Sequence, residues 1–337
     1  MDGQRITLAR IATEAGVSLS TVSKALSGTG RMRGETREHI EGVARRLGYD
    51  QGVSRREVRT TRAYTIGLLT TDSFSRFAIP LMLGVEDALS AGQISVLLAD
   101  GSGDPIRENH HLQTFLARRV DAVIVTGRRA ETRPPIAIST RVPVCYVLAR
   151  SQQPDDLSIV IDDEHGGRLA VSHLLALGRR RIAYISGPQK HLAARLRYAG
   201  MLDELAAAGV AAEDVTAMWG SWSEAWGRQA ASILTRDGRP YDAVFCGSDQ
   251  IARGVVEQLQ EDGVRVPEDV SVVGFDNWDV MALASRPPLT TVDPRLDELG
   301  RLAAESVLAM LGGEQRRGVL PHECELVVRE STAVIPA

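Results

Sequence analysis

The chain has 337 residues, 44% hydrophobic and 24% charged, with a formal net charge of −4. That length and balance suit a globular protein with more than one core. They come with no apolar run near the ~18 residues of a membrane span, no basic-then-apolar leader, and three scattered cysteines (Cys145, Cys246, Cys324) suited to reduced, buried thiols and not to a disulfide set or metal site.

A cytoplasmic protein without cofactor or metal is therefore expected. The charge is uneven: residues 1–62 hold 12 Lys or Arg against 7 Asp or Glu, and the remainder holds 27 against 36. A small basic module joined to an acidic body fits nucleic-acid contact plus a regulatory part, although an excess this small also arises by chance.

In chain order, the first elements are three short helical periods. In TLARIATEAG, Leu8, Ile11, Ala12 and Ala15 share a face and Gly16 provides a stop. Ser18 is a good N-cap for the next helix, and Val17 and Val22 can staple its start. Val22, Ala25 and Leu26 then point inward, while Leu19, Ser20, Ser23, Lys24 and Ser27 point outward. A third helix, ETREHIEGVARRLGY, buries Ile40, Val43, Ala44 and Leu47. Together these make a helix-turn-helix. The outward face is small enough to enter a major groove, with Lys24 able to donate to guanine and Leu19 able to meet a thymine methyl. A plain three-helix scaffold with a solvated Ser/Lys face fits the same pattern. Lys24 is one of only two lysines in the chain, the other being Lys190.

From residue 63 the pattern alternates. Apolar, β-branched runs at 64–70, 94–99, 121–127, 142–148, 181–187, 241–247 and 269–275 are separated by helical spacings at 78–91, 105–119, 164–178, 192–209, 223–236 and 248–262. Such alternation means parallel sheets covered on both faces. The polar break SQQPDDL (151–157) divides the region into two α/β lobes, and LTTV (289–292) and ELVVR (325–329) suggest that the chain recrosses between them. Ligands of such sheets sit beyond the carboxyl ends of the strands, here Asp72–Phe77, Gly187–Arg197, Gly247–Gln250 and Gly274–Trp278. GxGxxG, GxxxxGK[ST], HExxH and paired CxxC motifs are all missing from the sequence, which leaves no case for a nucleotide fold, a zinc protease or a metal ribbon.

The segment ITLARIATEAGVSLSTVSKALSG closely resembles the DNA-binding headpiece of the LacI/GalR family of bacterial transcription regulators. HLLALGRRRIAYISGP (173–188), ARLRYAGM (194–201), DAVFCGSDQIARG (242–254), VPEDVSVVGFDN (266–277) and PPLTTV (287–292) are similar to that family's regulatory domain. The resemblance implies an all-α helix-turn-helix headpiece (1–49), a hinge (50–62) and a two-lobed, doubly wound α/β domain like periplasmic binding proteins (63–337). Lobe 1 would span about 63–161 and 291–320, and lobe 2 about 162–290 and 321–337. It further implies a homodimer that binds operator DNA as a repressor and answers to a small-molecule effector, a carbohydrate by class, with no membrane contact and no catalysis.

Residue by residue, the resemblance implies that Thr7, Ser18, Thr21 and Ser23 position the module on phosphates, while Leu19, Ser20 and Lys24 read bases. The family often carries arginine at the position of Lys24. Its hinge pattern, Tyr-x-Pro-Asn-x-x-Ala-Arg-x-Leu, is only partly kept in YDQGVSRREV. Tyr49 and Arg56 match, but Gln51, Gly52, Arg55 and Val58 replace Pro, Asn, Ala and Leu. Arg55 and Arg56 can still anchor phosphates, and Val58 is a shorter minor-groove wedge than leucine.

For the effector, the resemblance points to Arg197 and Asp276, with Ser248 and Asp249 after one strand and Phe74 and Trp222 as walls. An interlobe salt bridge is the alternative role for Arg197 and Asp276, and a core position for Trp222, which has Trp219 and Trp226 nearby. Leu148 stands where the family often carries Asp, which removes one polar ligand contact. Among the histidines, His110, His111, His165 and His173 suit surface or helix-face positions, and His191, just before Arg197, is a candidate ligand contact. A solute-binding protein of the same two-lobed fold and a carbohydrate-processing enzyme are the rival readings. The headpiece argues against the first and the lack of a paired-carboxylate motif against the second.

Overall fold

The computed structural model describes residues 8–26, 32–47, 63–71, 76–88, 93–127, 130–138, 142–211, 215–237 and 241–332. The chain divides into two compact units, 1–63 and 64–337.

In the first unit, α1 (Leu8–Ala15), α2 (Leu19–Leu26) and α3 (Gly34–Arg46) pack around one small core. Its members are Ile11, Ala12, Ala15, Val22, Ala25, Ile40, Val43 and Ala44, with Val17 and Leu47 at its margin. Gly16 takes φ +64°, the left-handed conformation that ends α1 and that a side chain would strain. Val17 reaches the Val22 cluster, as the staple requires.

The second unit begins with β1 (Tyr64–Thr70), α4 (Ala78–Asp87), β2 (Ile94–Asp100), α5 (Pro105–Ala117) and β3 (Ala122–Thr126). The short β4 (Thr132–Arg133), β5 (Val144–Val147), β6 (Arg150–Ser151) and β7 (Leu157–Ile161) follow. Next come α6 (Asp163–Ala176), β8 (Ile182–Ser186), α7 (Leu192–Ala207), β9 (Ala217–Trp219), α8 (Glu224–Asp237), β10 (Ala243–Cys246) and α9 (Asp249–Glu261). The chain closes with β11 (Ser271–Phe275), α10 (Asp279–Ala282), β12 (Thr290–Asp293), α11 (Leu296–Leu311), β13 (Gly318–His322) and β14 (Glu325–Val327).

Two six-stranded sheets result, one per lobe, ordered β13-β7-β5-β3-β1-β2 and β14-β12-β11-β10-β8-β9. The first is parallel throughout. The second is parallel except for β14, which runs antiparallel to β12. Apolar clusters cover both faces of each sheet, which is why the strands read as continuous hydrophobic runs.

Helices on these faces pack backbone to backbone. A Cβ on Gly84 would lie 1.8 Å from the Asp297 carbonyl oxygen, and one on Gly300 2.1 Å from that of Leu81, so α4 and α11 need glycine on both sides. The pair α6 and α7 meets in the same way through Gly167 and Gly200.

Among the described residues the chain crosses between lobes three times: after β7, after β12 and after β13. The resemblance sets the last two crossings at about 290 and about 320. In the fold they follow β12 and β13, since Thr290 and Val292 are paired with Val273 and Phe275 of β11, and His322 is still paired with Ile161 of β7. A run such as LTTV shows that a strand forms there and says nothing of which sheet takes it. The strands β7, β9 and β13 leave little trace in the sequence pattern, because they are short or flanked by polar residues.

Candidate functional site

In the first unit, the chemistry sits on α2. Ser18 Oγ accepts the Thr21 N–H at 3.2 Å and lies 2.7 Å from Thr21 Oγ1 and 2.9 Å from Ser20 Oγ. The helix is thus capped by a side chain at the end that carries its positive dipole. With Val22 and Ala25 buried, the periodicity of the helix turns Leu19, Ser20, Ser23 and Lys24 outward, and all four are exposed. Leu19 is 54% exposed, a high value for leucine on an eight-residue helix with a buried face. A face with one apolar residue, small hydroxyls and one cation can meet both base edges and phosphates. Thr7, Arg55, Arg56 and Val58 lie outside the described residues, as does Phe74.

In the second unit, the carboxyl ends of β8, β10 and β11 converge on Arg197. Gly167 lets α6 approach the Arg197 main chain, since a Cβ there would lie 2.2 Å from the Arg197 carbonyl oxygen. This brings the first residue of α6 to the guanidinium: Arg197 Nε donates to Asp163 Oδ1 at 2.7 Å. Nη1 donates to the Gly247 carbonyl at 2.5 Å, and the guanidinium carbon lies 3.4 Å from the centroid of the Phe275 ring. Only 5% of Arg197 is exposed. Burial works against its charge, but Asp163 and Asp276 outweigh it and hold the guanidinium above its usual value.

Asp276 follows β11 in a backbone conformation, φ +109°, that a non-glycine residue seldom adopts, and it is 6% exposed. Its Oδ2 lies 2.9 Å from Arg76 Nη2, a charge contact across the lobes that lacks hydrogen-bond geometry. Arg76 also lies over the Phe77 and Trp278 rings, at 4.6 and 5.3 Å. Burial raises the Asp276 carboxyl against the pull of Arg76 and Arg197. Trp222 Nε1 donates to His191 Nδ1 at 2.8 Å, with the two rings nearly parallel at 16°. That bond assigns the acceptor role to Nδ1, so a neutral His191 carries its proton on Nε2.

Ser248 and Asp249 are fully buried and serve the scaffold. Ser248 Oγ caps α9, accepting from the Ile251 N–H at 3.4 Å. Asp249 accepts the Thr291 hydroxyl at 2.5 Å and the Trp278 N–H at 2.7 Å, which ties the loop carrying Asp276 to β12. Both expected effector residues thus carry scaffold hydrogen bonds at the start of α9, and neither lines the open cavity beside the cluster. Leu148, in the left-handed conformation at φ +64°, joins the lobe 1 core.

An open cavity of about 920 Å³ lies beside this cluster. Thr71, Gly127 and Ala149, which follow β1, β3 and β5, contribute to its lining, as do Lys190 and His191 of the other lobe. Among the expected effector residues that are described, His191 alone lines it. Glu131 in its wall accepts the Leu192 N–H at 3.2 Å, so a lobe 1 carboxylate sits at the N-terminus of α7. Arg76 falls within the Asp72–Phe77 strand-end segment but carries no individual signal in the sequence, Glu131 carries none, and Asp163 has only the acidic start of a helix.

The family model described as "Bacterial regulatory proteins, lacI family" matches residues 7–51, and that for a "Periplasmic binding protein-like domain" matches residues 171–332. The chain is 31% identical to the ribose operon repressor of Haemophilus influenzae, over 96% of this chain and 98% of that one. The Lac repressor dimer bound to operator and the anti-inducer ONPF is similar in structure, with a TM-score of 0.69 and 28% identity over 98% of this chain and all of the other. A complex of the transcriptional regulator CelR with cellobiose gives a TM-score of 0.65 at 29% identity, over 97% of this chain and all of the other.

Proposed function

The chain belongs to the lacI family of bacterial regulatory proteins, and from that premise we propose that it is a transcriptional repressor whose affinity for operator DNA is set by a small carbohydrate bound between the lobes. The observation that carries this reading is the presence in one chain of an N-capped helix with an outward Leu19-Ser20-Lys24 face and a two-lobed unit whose strand ends gather Arg197 and Asp276.

Lys24 and Leu19 would read base edges and the hydroxyls of Ser18, Thr21 and Ser23 would meet phosphates, with Thr7, Arg55, Arg56 and Val58 added from the flanks. In the cleft, Asp276 and Arg197 would hold sugar hydroxyls by charge-assisted hydrogen bonds, beside Trp222, His191 and Phe74. Binding there shifts the balance between lobe arrangements, and through linkage the operator affinity, by a coupling of about 1–3 kcal/mol. In this reading the protein acts in the cytoplasm as a homodimer on a two-fold operator, and the cleft binds its ligand without transforming it. Exposed Ile79 and Leu83, four residues apart on α4, suit a subunit contact.

The direct test is binding of the purified chain to DNA from upstream of its own gene at two salt concentrations, with and without sugars. Site-specific, salt-sensitive binding that a sugar alters is the expected result. Binding of equal strength to unrelated DNA, unaltered by any sugar, refutes the reading.

A further inference from the structure

The cavity beside the Arg197–Asp276 cluster does not end at the cleft. From Lys190 and His191 it runs past the strand ends of lobe 1 to Glu108 and Asn109 on α5 and Arg133 on β4. Its volume of about 920 Å³ is near the top of the ~300–1,000 Å³ that holds a drug-sized ligand, more than one sugar ring fills. The far wall is built and held in place. Arg133 grips Glu108 with both terminal nitrogens, Nη1 to Oε1 at 3.2 Å and Nη2 to Oε2 at 2.5 Å, and Glu108 is 8% exposed. Arg133 Nε donates to the Pro134 carbonyl at 3.3 Å, and the Tyr146 hydroxyl accepts the Ile136 N–H at 2.9 Å, which anchors the loop behind it. β4 is itself paired with β6.

We infer that this extension is a second subsite for a neutral sugar unit, so that the effector is a disaccharide or a longer glycoside with one ring at His191 and another against Glu108, Arg133 and Asn109. The inference rests on the carbohydrate reading of the cleft. The forked pair cancels its own charge, so the wall offers no net attraction to a phosphate, and a phosphate would have to face the Glu108 carboxylate. What remains is a fixed set of N–H donors and carboxylate lone pairs, to which the Asn109 amide adds one of each. That mixture matches hydroxyl groups, which donate and accept. Preformed geometry on a strand and a helix also lowers the ordering cost of binding.

The test is calorimetric titration of the full chain with glucose, xylose and ribose, with cellobiose, maltose and trehalose, and with glucose 6-phosphate. The wild type should bind at least one disaccharide about tenfold or more tighter than any monosaccharide, as hydrogen bonds to charged groups allow. Asn109→Ala and Glu108→Gln should bring that disaccharide down to the monosaccharide level while changing monosaccharide binding by less than about twofold. Asn109 is exposed on α5, so its truncation leaves the fold intact should Glu108→Gln fail to fold. A monosaccharide or glucose 6-phosphate that binds as tightly as the disaccharide, or variants that weaken both sugar sizes equally, overturn the second subsite alone. If no sugar of either size binds, the carbohydrate reading falls and the subsite with it.

Discussion

Arg76 and Asp276 meet across the two lobes, Nη2 to Oδ2 at 2.9 Å, although 200 positions separate them in the chain. One follows β1, the first strand of lobe 1, and the other follows β11, the fourth strand of lobe 2 in chain order, so the contact exists only when the lobes approach. It engages the carboxylate expected to hold the effector, and the Glu131 contact to the start of α7 acts beside it.

Arg76→Met removes the lobe 1 side of this contact and leaves Asp276 buried. A coupling between closure and ligand of about 1–3 kcal/mol, the usual range for linked sites, makes effector affinity fall by about 5- to 150-fold. Titration of the variant with the wild-type effector checks this. Unchanged affinity would place Arg76 outside the closure equilibrium.

Arg197 has a structural duty besides its proposed ligand contact. Arg197→Ala strands the Asp163 carboxylate, and removing one partner of a buried pair costs about 3–5 kcal/mol. The double variant Asp163→Leu, Arg197→Met should recover most of the lost melting temperature but none of the effector response. Recovery of both would mean that the pair serves only folding.

Asp249 should leave a signature in the pH dependence of stability. Burial first, and Asp276 second, push its carboxyl up from 3.8 to about 8, against the Thr291 hydroxyl and the Trp278 N–H. The folded state therefore keeps a proton that the unfolded chain has released. The stability contribution is full below pH ~4 and is lost as pH rises to about 8, where it levels off. Asp249→Asn can keep both bonds, its oxygen accepting from Trp278 and its amide donating to Thr291. Thermal melts from pH 4 to 9 should show a stability difference, variant minus wild type, that grows with pH and flattens above 8. A constant difference would mean that Asp249 titrates normally.

Lys24→Ala should cost more on the operator than on random DNA. A good base contact gives about 1–3 kcal/mol of discrimination, so specific affinity should drop by tenfold or more while non-specific affinity falls less. Anisotropy titrations on both DNAs decide it, and equal losses would make Lys24 a phosphate contact.

The sequence was most legible where local rules govern. Ser18, Gly16 and the Val17–Val22 staple could be read because caps and stops involve neighbours within a few residues, and the β-branched runs could be read because both faces of a parallel sheet are buried. The partners of Asp249 are not legible in this way. Its place after β10 puts it near the cleft, but its bond to Thr291, 42 residues away, depends on sheet order that no local pattern carries.

By itself, then, the sequence determined a small three-helix module with a polar outer face and a larger two-lobed α/β body, since hydrophobic period and capping chemistry are properties of short stretches. The tertiary structure alone decided which charges meet: Arg197 with Asp163, Arg76 with Asp276, Arg133 with Glu108. Periodicity marks which side of an element is buried, but a charged group finds its partner only when sheet order, lobe crossings and glycine-tight helix contacts bring distant segments together. Those pairings set a lobe-to-lobe contact, Arg76 to Asp276, beside Arg197, with an open cavity next to it along lobe 1.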